Sequence, residues 1–312
     1  MSDLILHHYP SSPFSEKIRL IFGLKKLAWR SVLIPTIMPK PDVIALTGGY
    51  RKTPFMQIGA DIYCDTALIA RVLEAQQPSP TLYPAAAPLA VPFASWADAT
   101  LFWAAVTWTL QPAGAAALFN NPAPEVMKAF GADRAAFGGT MRRLTLADAT
   151  AQLKGYLAAL QGQLSQGGPY LFGAEISIAD FSVAHALWFI RRGGPVAEIL
   201  APHAALTAWL DRVLAIGHAT SERLSSEEAI SLAAACARDG RYAAVGVAPG
   251  LGFEAGQPVT VMAIDYGSDP VAGALVGLST DEVVLRREDE RAGVVQVHFP
   301  RIGFQIKKEQ ST

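Results

Sequence analysis

The feature that most constrains this chain is the run Tyr9-Pro10-Ser11-Ser12-Pro13-Phe14-Ser15. It lies between an apolar strand-like segment, Leu4-Ile5-Leu6, and an amphipathic segment that begins at Phe14. Phe14, Ile18, Ile21 and Phe22 fall at i, i+4, i+7 and i+8, one face of a helix. Lys17, Arg19, Lys25 and Lys26 are expected on the remaining face. Ser12 before Pro13 reads as an N-cap with proline at the first helical position. A strand-to-helix turn of this kind aims backbone N–H groups and small hydroxyls at one point, which suits a bound anion.

The pattern around the turn extends over residues 1–80. Ser31–Ile34 is a second short strand, and Pro35, Pro39, Pro41 and Gly48-Gly49 mark an irregular connection. Pro54–Ile58 and Ile62–Cys64 are strands split by a hairpin-type turn at Gly59-Ala60-Asp61. A helix over Ala67–Ala75 ends before Pro78 and Pro80. The order is that of a thioredoxin-like α/β domain. Residues 88–235 lack alternation and carry helical runs near 91–110, 123–137, 144–165, 178–192 and 204–216. Within them, Ile176-Ser177-Ile178-Ala179-Asp180-Phe181 has the form of a capping box with a hydrophobic staple. Residues 237–256 read as a Gly- and Ala-rich linker. From Pro258 the period becomes two, and five short strands are expected, which suggests a small all-β, SH3-like barrel over 254–312.

Bulk properties narrow the function classes. The 312 residues are 51% hydrophobic and 17% charged, which is globular rather than disordered. A net charge of −1 gives no general attraction to nucleic acid or anionic membrane. The tail from 254 to 312 holds nine acids against six bases, a net of −3, which also argues against nucleic acid. Ala99–Leu110, the longest apolar stretch, is too short to span a bilayer. No secretion signal is expected, and Cys64 and Cys236 are expected as free thiols in a reducing cytoplasm. The six histidines show no metal-ligand spacing, so no metal is expected.

Four motifs in order carry a resemblance. Ser12-Pro13-Phe14 followed by Ile18-Arg19-Leu20 resembles the first turn of the tau and omega classes of the glutathione S-transferase superfamily. Thr53-Pro54-Phe55 resembles that family's cis-proline site, Asp65-Thr66 its acidic-plus-hydroxyl pair, and Ile176–Phe181 the capping box of its all-α C-terminal domain. The resemblance covers about 1–235 and stops before the tail. It implies a cytoplasmic homodimer whose co-substrate is glutathione and whose second substrate is an apolar electrophile.

The resemblance also implies roles. Ser12 would be the catalytic hydroxyl that donates to the glutathione sulfur, with the cap alone as its other role and Ser11, Ser15 or Tyr9 as other donors. Ser11, Phe14, Thr53, Pro54, Asp65 and Thr66 would hold the tripeptide. Thr53 would pair with its backbone like an added strand, Thr66 would take the γ-glutamyl carboxylate and Asp65 the amine. Arg51, Lys52 and Lys40 are candidates for the glycyl carboxylate, and each could equally be a solvated charge. Phe102, Trp103 and Trp108 would wall the electrophile pocket, or serve as core. A serine rather than a cysteine in the turn disfavours disulfide exchange. A non-catalytic protein of the same fold, using the β tail as an interaction module, is the other class of function.

Overall fold

The structure is a computed structural model and describes residues 3–138 and 141–309. The apolar segment at the N-terminus forms β1 (Ile5–His8), buried at every position. It pairs in parallel with β2 (Trp29–Leu33) and antiparallel with β3 (Phe55–Ile58). Gly59, with a φ of +62°, turns β3 into β4 (Asp61–Cys64). Helices α1 (Pro13–Lys25) and α3 (Thr66–Gln76) pack on one face of this sheet, where Leu4, Leu6, Met56 and Tyr63 point. Helix α2 (Pro41–Thr47) covers the other face with Ile5, Val32, Phe55 and Ile62.

The helical segment holds α4 (Ala90–Trp96), which passes through a π-helical turn at Ala97–Leu101 into α5 (Phe102–Thr109). It continues with α6 (Pro112–Leu118), α7 (Pro124–Gly138), α8 (Leu146–Gln166), α9 (Ile178–Arg191) and α10 (Ala204–Leu214). Helix α9 is buried almost throughout and packs against α1 and α5. The Ser177 N–H donates to Asp180 Oδ2 at 2.8 Å, as the capping box requires, and the Ser177 hydroxyl donates to the same oxygen at 3.0 Å. Asp180 Oδ1 also accepts from Leu171 N–H and from the Trp209 indole, each at 2.9 Å. One carboxylate therefore ties the start of α9 to the preceding loop and to α10.

Two elements beyond α10 return to the sheet. Strand β5 (Ser221–Arg223) pairs in parallel with β2. Helix α11 (Ser226–Arg238), capped by Ser225 and Glu228, packs Ala229, Ile230 and Ala233 beside α2. The five strands expected in the tail are present: β6 (Pro258–Ala263), β7 (Val271–Leu278), β8 (Glu282–Asp289), β9 (Gly293–Pro300) and β10 (Phe304–Lys308). They form a meander whose last strand returns to the first. The tail is not a module apart, however. Strand β9 pairs in parallel with β4, so among the described residues all ten strands share one sheet, ordered β10-β6-β7-β8-β9-β4-β3-β1-β2-β5. The stretch expected as a linker is anchored as well: Ala243 N–H donates to Asp61 Oδ2 at 2.8 Å, and Val247 bridges to Leu278.

The polar face of α1 meets little solvent. Lys17, Arg19 and Lys25 are all buried. Helix α1 lies between the sheet and α9, so its polar side meets protein rather than water. Each cation survives there because it is paired: Lys17 with Asp98, Arg19 with Glu16 and Lys25 with Glu74. Lys26 alone is exposed, at the left-handed C-cap.

Candidate active site

The sheet register brings the predicted anchors together. His7 stands opposite Phe55, and Phe55 opposite Cys64. The chain leaving β1, the chain entering β3 and the chain leaving β4 therefore meet at one end of the sheet. These are the turn Tyr9–Ser12, the pair Thr53-Pro54 and the pair Asp65-Thr66. The turn is closed by Ser12 N–H donating to the Tyr9 carbonyl at 3.1 Å. Ser12 Oγ accepts from Ser15 N–H at 3.2 Å and donates to the Thr53 carbonyl at 3.5 Å. Ser12 thus caps α1 and at the same time touches the second anchor. It is 2% exposed. Ser11 is half-buried, and Ser15 is fully buried with its hydroxyl unpaired among the described residues.

The Thr53–Pro54 peptide is cis. Asp65 caps α3, its Oδ1 accepting from Ala67 N–H at 2.9 Å. It does so at a φ of +75°, a conformation that a non-glycine residue seldom adopts and that tends to be kept at functional sites. Burial raises the Asp65 pKa, against the pull of Lys52 and the Ala67 N–H. Thr66 Oγ1 accepts from Lys17 Nζ at 3.3 Å.

That lysine belongs to a buried chain of polar groups that reaches into the helical segment. Lys17 Nζ lies 2.6 Å from Asp98 Oδ2, and His185 Nε2 lies 2.9 Å from Asp98 Oδ1. Asp98 sits in the π-helical turn, a local irregularity often found where a helix side chain is re-aimed. Burial would raise its pKa, but Lys17 and His185 outweigh it and hold the carboxyl below its usual value. Burial lowers the His185 pKa against the pull of Asp98, and its Nε2 faces Asp98 Oδ1. Phe14 packs on both Phe102 and His185, with ring centroids 4.6 Å apart in each case. None of Lys17, Asp98 and His185 was expected at the site. Lys17 could have been found, because it lies three residues after Phe14 and four before Ile21, at the margin of the apolar face of α1.

The remaining candidates form a rim. Arg134 on α7 donates to the Tyr9 hydroxyl at 3.4 Å and to the Thr36 carbonyl at 2.9 Å. Burial raises the Tyr9 pKa, which Arg134 partly offsets. Lys40 is buried, with Nζ 5.9 Å from the centre of the Tyr9 ring. Burial and then Arg134 bring its pKa down to about 8. Arg51 pairs with Asp133 at 3.0 Å, and Lys52 with Asp265 at 2.7 Å. Of the expected apolar walls, Phe102 faces Phe14, and Trp103 lies 4.9 Å from Tyr266 of the tail. Trp108 is turned away, its indole donating to the Val196 carbonyl at 2.9 Å. Cys64 precedes Asp65 but points into the core below the sheet, where burial pushes its thiol pKa up. Among the described residues no group of His, Cys, Asp and Glu is arranged to hold a metal, and no helix is long and apolar enough to cross a membrane.

Comparison with known proteins follows this architecture. Residues 6–81 match the family described as Glutathione S-transferase, N-terminal domain, and residues 128–212 match Glutathione S-transferase, C-terminal domain. A GST-like protein from Pseudomonas syringae is 44% identical, with a TM-score of 0.80, over 99% of this chain and 100% of its own. The chain belongs to the glutathione S-transferase superfamily. The P. syringae match spans the whole length, so the β tail is part of a shared architecture. Transferases from Rhodospirillum rubrum and from Methylobacillus flagellatus, the latter with glutathione bound, are 20% and 16% identical. Their TM-scores are 0.51 and 0.52 over 68% of this chain, and 87% and 95% of their own, which supports the fold alone. No curated protein sequence matches the chain.

Proposed function

We propose that the protein is a glutathione transferase that activates the thiol of glutathione for attack on, or isomerisation of, an apolar electrophile. The observation that carries this is the convergence of Ser12, Thr53 and Asp65-Thr66 at one end of the sheet, where Ser12 Oγ already reaches the Thr53 carbonyl at 3.5 Å. The Thr53 backbone would hold the cysteinyl unit of glutathione and so bring its sulfur to Ser12. Free glutathione has a thiol pKa of about 8.5 and is only a few per cent thiolate at neutral pH. A hydroxyl donating to the thiolate is worth about 1.5–3 kcal/mol, or roughly one to two pKa units. The α1 N-terminus adds to this in the same direction. At Thr66, the α3 N-terminus and the hydroxyl would take the γ-glutamyl carboxylate, with Asp65 on the amine. The buried Lys17 fixes the Thr66 hydroxyl from behind, and Asp98 and His185 fix Lys17.

The electrophile would lie beside Phe14, Phe102 and Trp103. The free cysteines do not line the turn, which favours addition over disulfide exchange. Isothermal titration with glutathione tests the proposal. Binding that is lost in Asp65→Ala is expected, and no binding at millimolar glutathione overturns it. The homodimer typical of the family is a further part of the proposal, checked by sedimentation.

A second reading is favoured by one observation. Ser12 is buried and already bonded on both sides, and Arg51 and Lys52 are each paired with an acid. A non-catalytic protein of this fold, acting as a binding or scaffold protein through its tail, would have that arrangement. Ser12→Ala would then leave its cellular role unchanged.

A further inference from the structure

Lys52 and Arg51 directly precede Thr53, and both reach toward the tail. Lys52 Nζ lies 2.7 Å from Asp265 Oδ1, and Arg51 Nη1 lies 3.9 Å from Asp269 Oδ2. Both acids belong to the connection between β6 and β7. The same connection inserts Tyr266 between the helical walls, its ring 4.9 Å from Trp103 on α5 and 4.2 Å from Phe137 on α7. Gly267 N–H donates to the Phe137 carbonyl at 3.1 Å. A φ of +64° and the lack of a side chain allow that approach, since a Cβ at Gly267 would overlap the Phe137 ring. The connection therefore spans from the cations beside the cis peptide to the apolar wall of the candidate site.

Three properties suit this segment to movement. Its ends are fixed, because β6 and β7 pair at Val261 and Val271 just outside it. Its holding pairs are weak, because the Asp265 and Asp269 side chains are 50% and 48% exposed. Its contacts with the helices are few: the Tyr266 side chain, which packs on Trp103 and Phe137 and bonds to Arg134, and the Gly267 N–H bond to the Phe137 carbonyl. Lys52 and Arg51 are also the cations nearest the chain that would hold the tripeptide backbone, so an incoming carboxylate and the tail acids compete for them.

We infer that residues 264–270 are a gate over the glutathione site, closed by Lys52–Asp265 and Arg51–Asp269 and opened when a ligand carboxylate takes Lys52. The identity of the opening ligand rests on the function proposed above, whereas the closed state rests on the ion pairs alone. Tyr266 moves with the gate, so the tail closes the electrophile pocket as well as the anion site.

Hydrogen exchange read by mass spectrometry over 264–270 tests this, on the full chain and on D265N/D269N, each with and without glutathione. Calorimetric affinities are measured on the same samples. The ligand-free variant is expected to exchange faster over this segment than the parent, with β1 and β4 unchanged as the sign of an intact fold. Glutathione is expected to speed exchange there in the parent, and the variant to bind it about three- to ten-fold more tightly. Equal exchange in the ligand-free variant and parent overturns the gate. Weaker binding by the variant overturns the competition for Lys52. Faster exchange in the variant, with no binding of glutathione by either protein, supports the gate and rejects glutathione as its opener.

Discussion

His298 on β9 donates to Asp61 on β4 across 2.9 Å, at the seam where the tail joins the sheet. Its other nitrogen lies 3.3 Å from Glu282 Oε2 on β8, and Tyr63 stacks on the ring at 4.4 Å. A neutral imidazole can donate to only one of two carboxylates, so the geometry calls for the imidazolium. Burial would lower the His298 pKa, but the hydrogen bonds to Asp61 and Glu282 outweigh it and hold it above its ordinary value.

A histidine whose folded pKa is raised contributes stability that is complete below its unfolded pKa of about 6.5. That contribution is lost as pH rises through the raised folded value. Protection of the β9 amides facing β4, corrected for the intrinsic exchange rate, is expected to fall above neutral pH, and that fall is expected to vanish in His298→Gln. An unchanged pH dependence in the variant would assign it to another group.

Two histidines on β1 act in the opposite direction. His7 is bonded to Gln57 at 2.9 Å and stacked on Phe55, and burial takes its pKa down to about 4. His8 accepts from Arg19 at 3.1 Å, and burial followed by the Arg19 charge takes it to about 3. Both rings stay neutral in the fold while the unfolded chain protonates below about pH 6.5. Stability is expected to fall as pH drops from about 6.5 toward 4. Histidine NMR is expected to show both rings neutral at pH 5.5, and their protonation at that pH would contradict the buried geometry.

Asp180 holds more than its own helix start. Replacing a capping residue typically costs about 1 kcal/mol. Asp180→Ala would also strand Leu171 N–H and the Trp209 indole without acceptors. A loss of about 3 kcal/mol or more is expected, read as a lower urea midpoint. A loss near 1 kcal/mol would mean that the cap alone counts.

Lys17 and Asp98 form a pair that should not be broken singly. Lys17→Met leaves the Asp98 charge facing protein with only His185 beside it, and about 3–5 kcal/mol of stability is expected to go. Lys17→Met with Asp98→Asn is expected to recover part of that loss. A loss in the double variant equal to the sum of the two single losses would show that the two side chains act independently.

The helix start at Ser12-Pro13, the β3–β4 turn and the capping box at Ser177 were legible because each is local. A cap, a glycine and a period of two or 3.6 announce themselves within a few residues. The α11 start at Ser225 and Glu228 has the same local form. The ten-stranded sheet was not legible, since β4 and β9 pair across more than two hundred residues and nothing in either strand names its partner. The burial of Lys17, Arg19 and Lys25 was hidden for a related reason. A charged helix face reads as solvated until a second layer and its carboxylates are placed against it. At the site, the anchors with family spacing were legible, whereas Arg134, Asp98, His185 and Tyr266 come from segments whose only signal is position in space.

The proposed chemistry turns on whether Ser12 stabilises the glutathione thiolate. The most direct measurement is the thiol pKa of bound glutathione, from the ultraviolet absorbance of the thiolate, in the parent protein and in Ser12→Ala. The expected result is a bound thiol about one to two units below the free value in the parent, with most of that shift lost in the variant. A bound pKa equal to that of free glutathione, or one that Ser12→Ala leaves in place, would contradict the role given to Ser12.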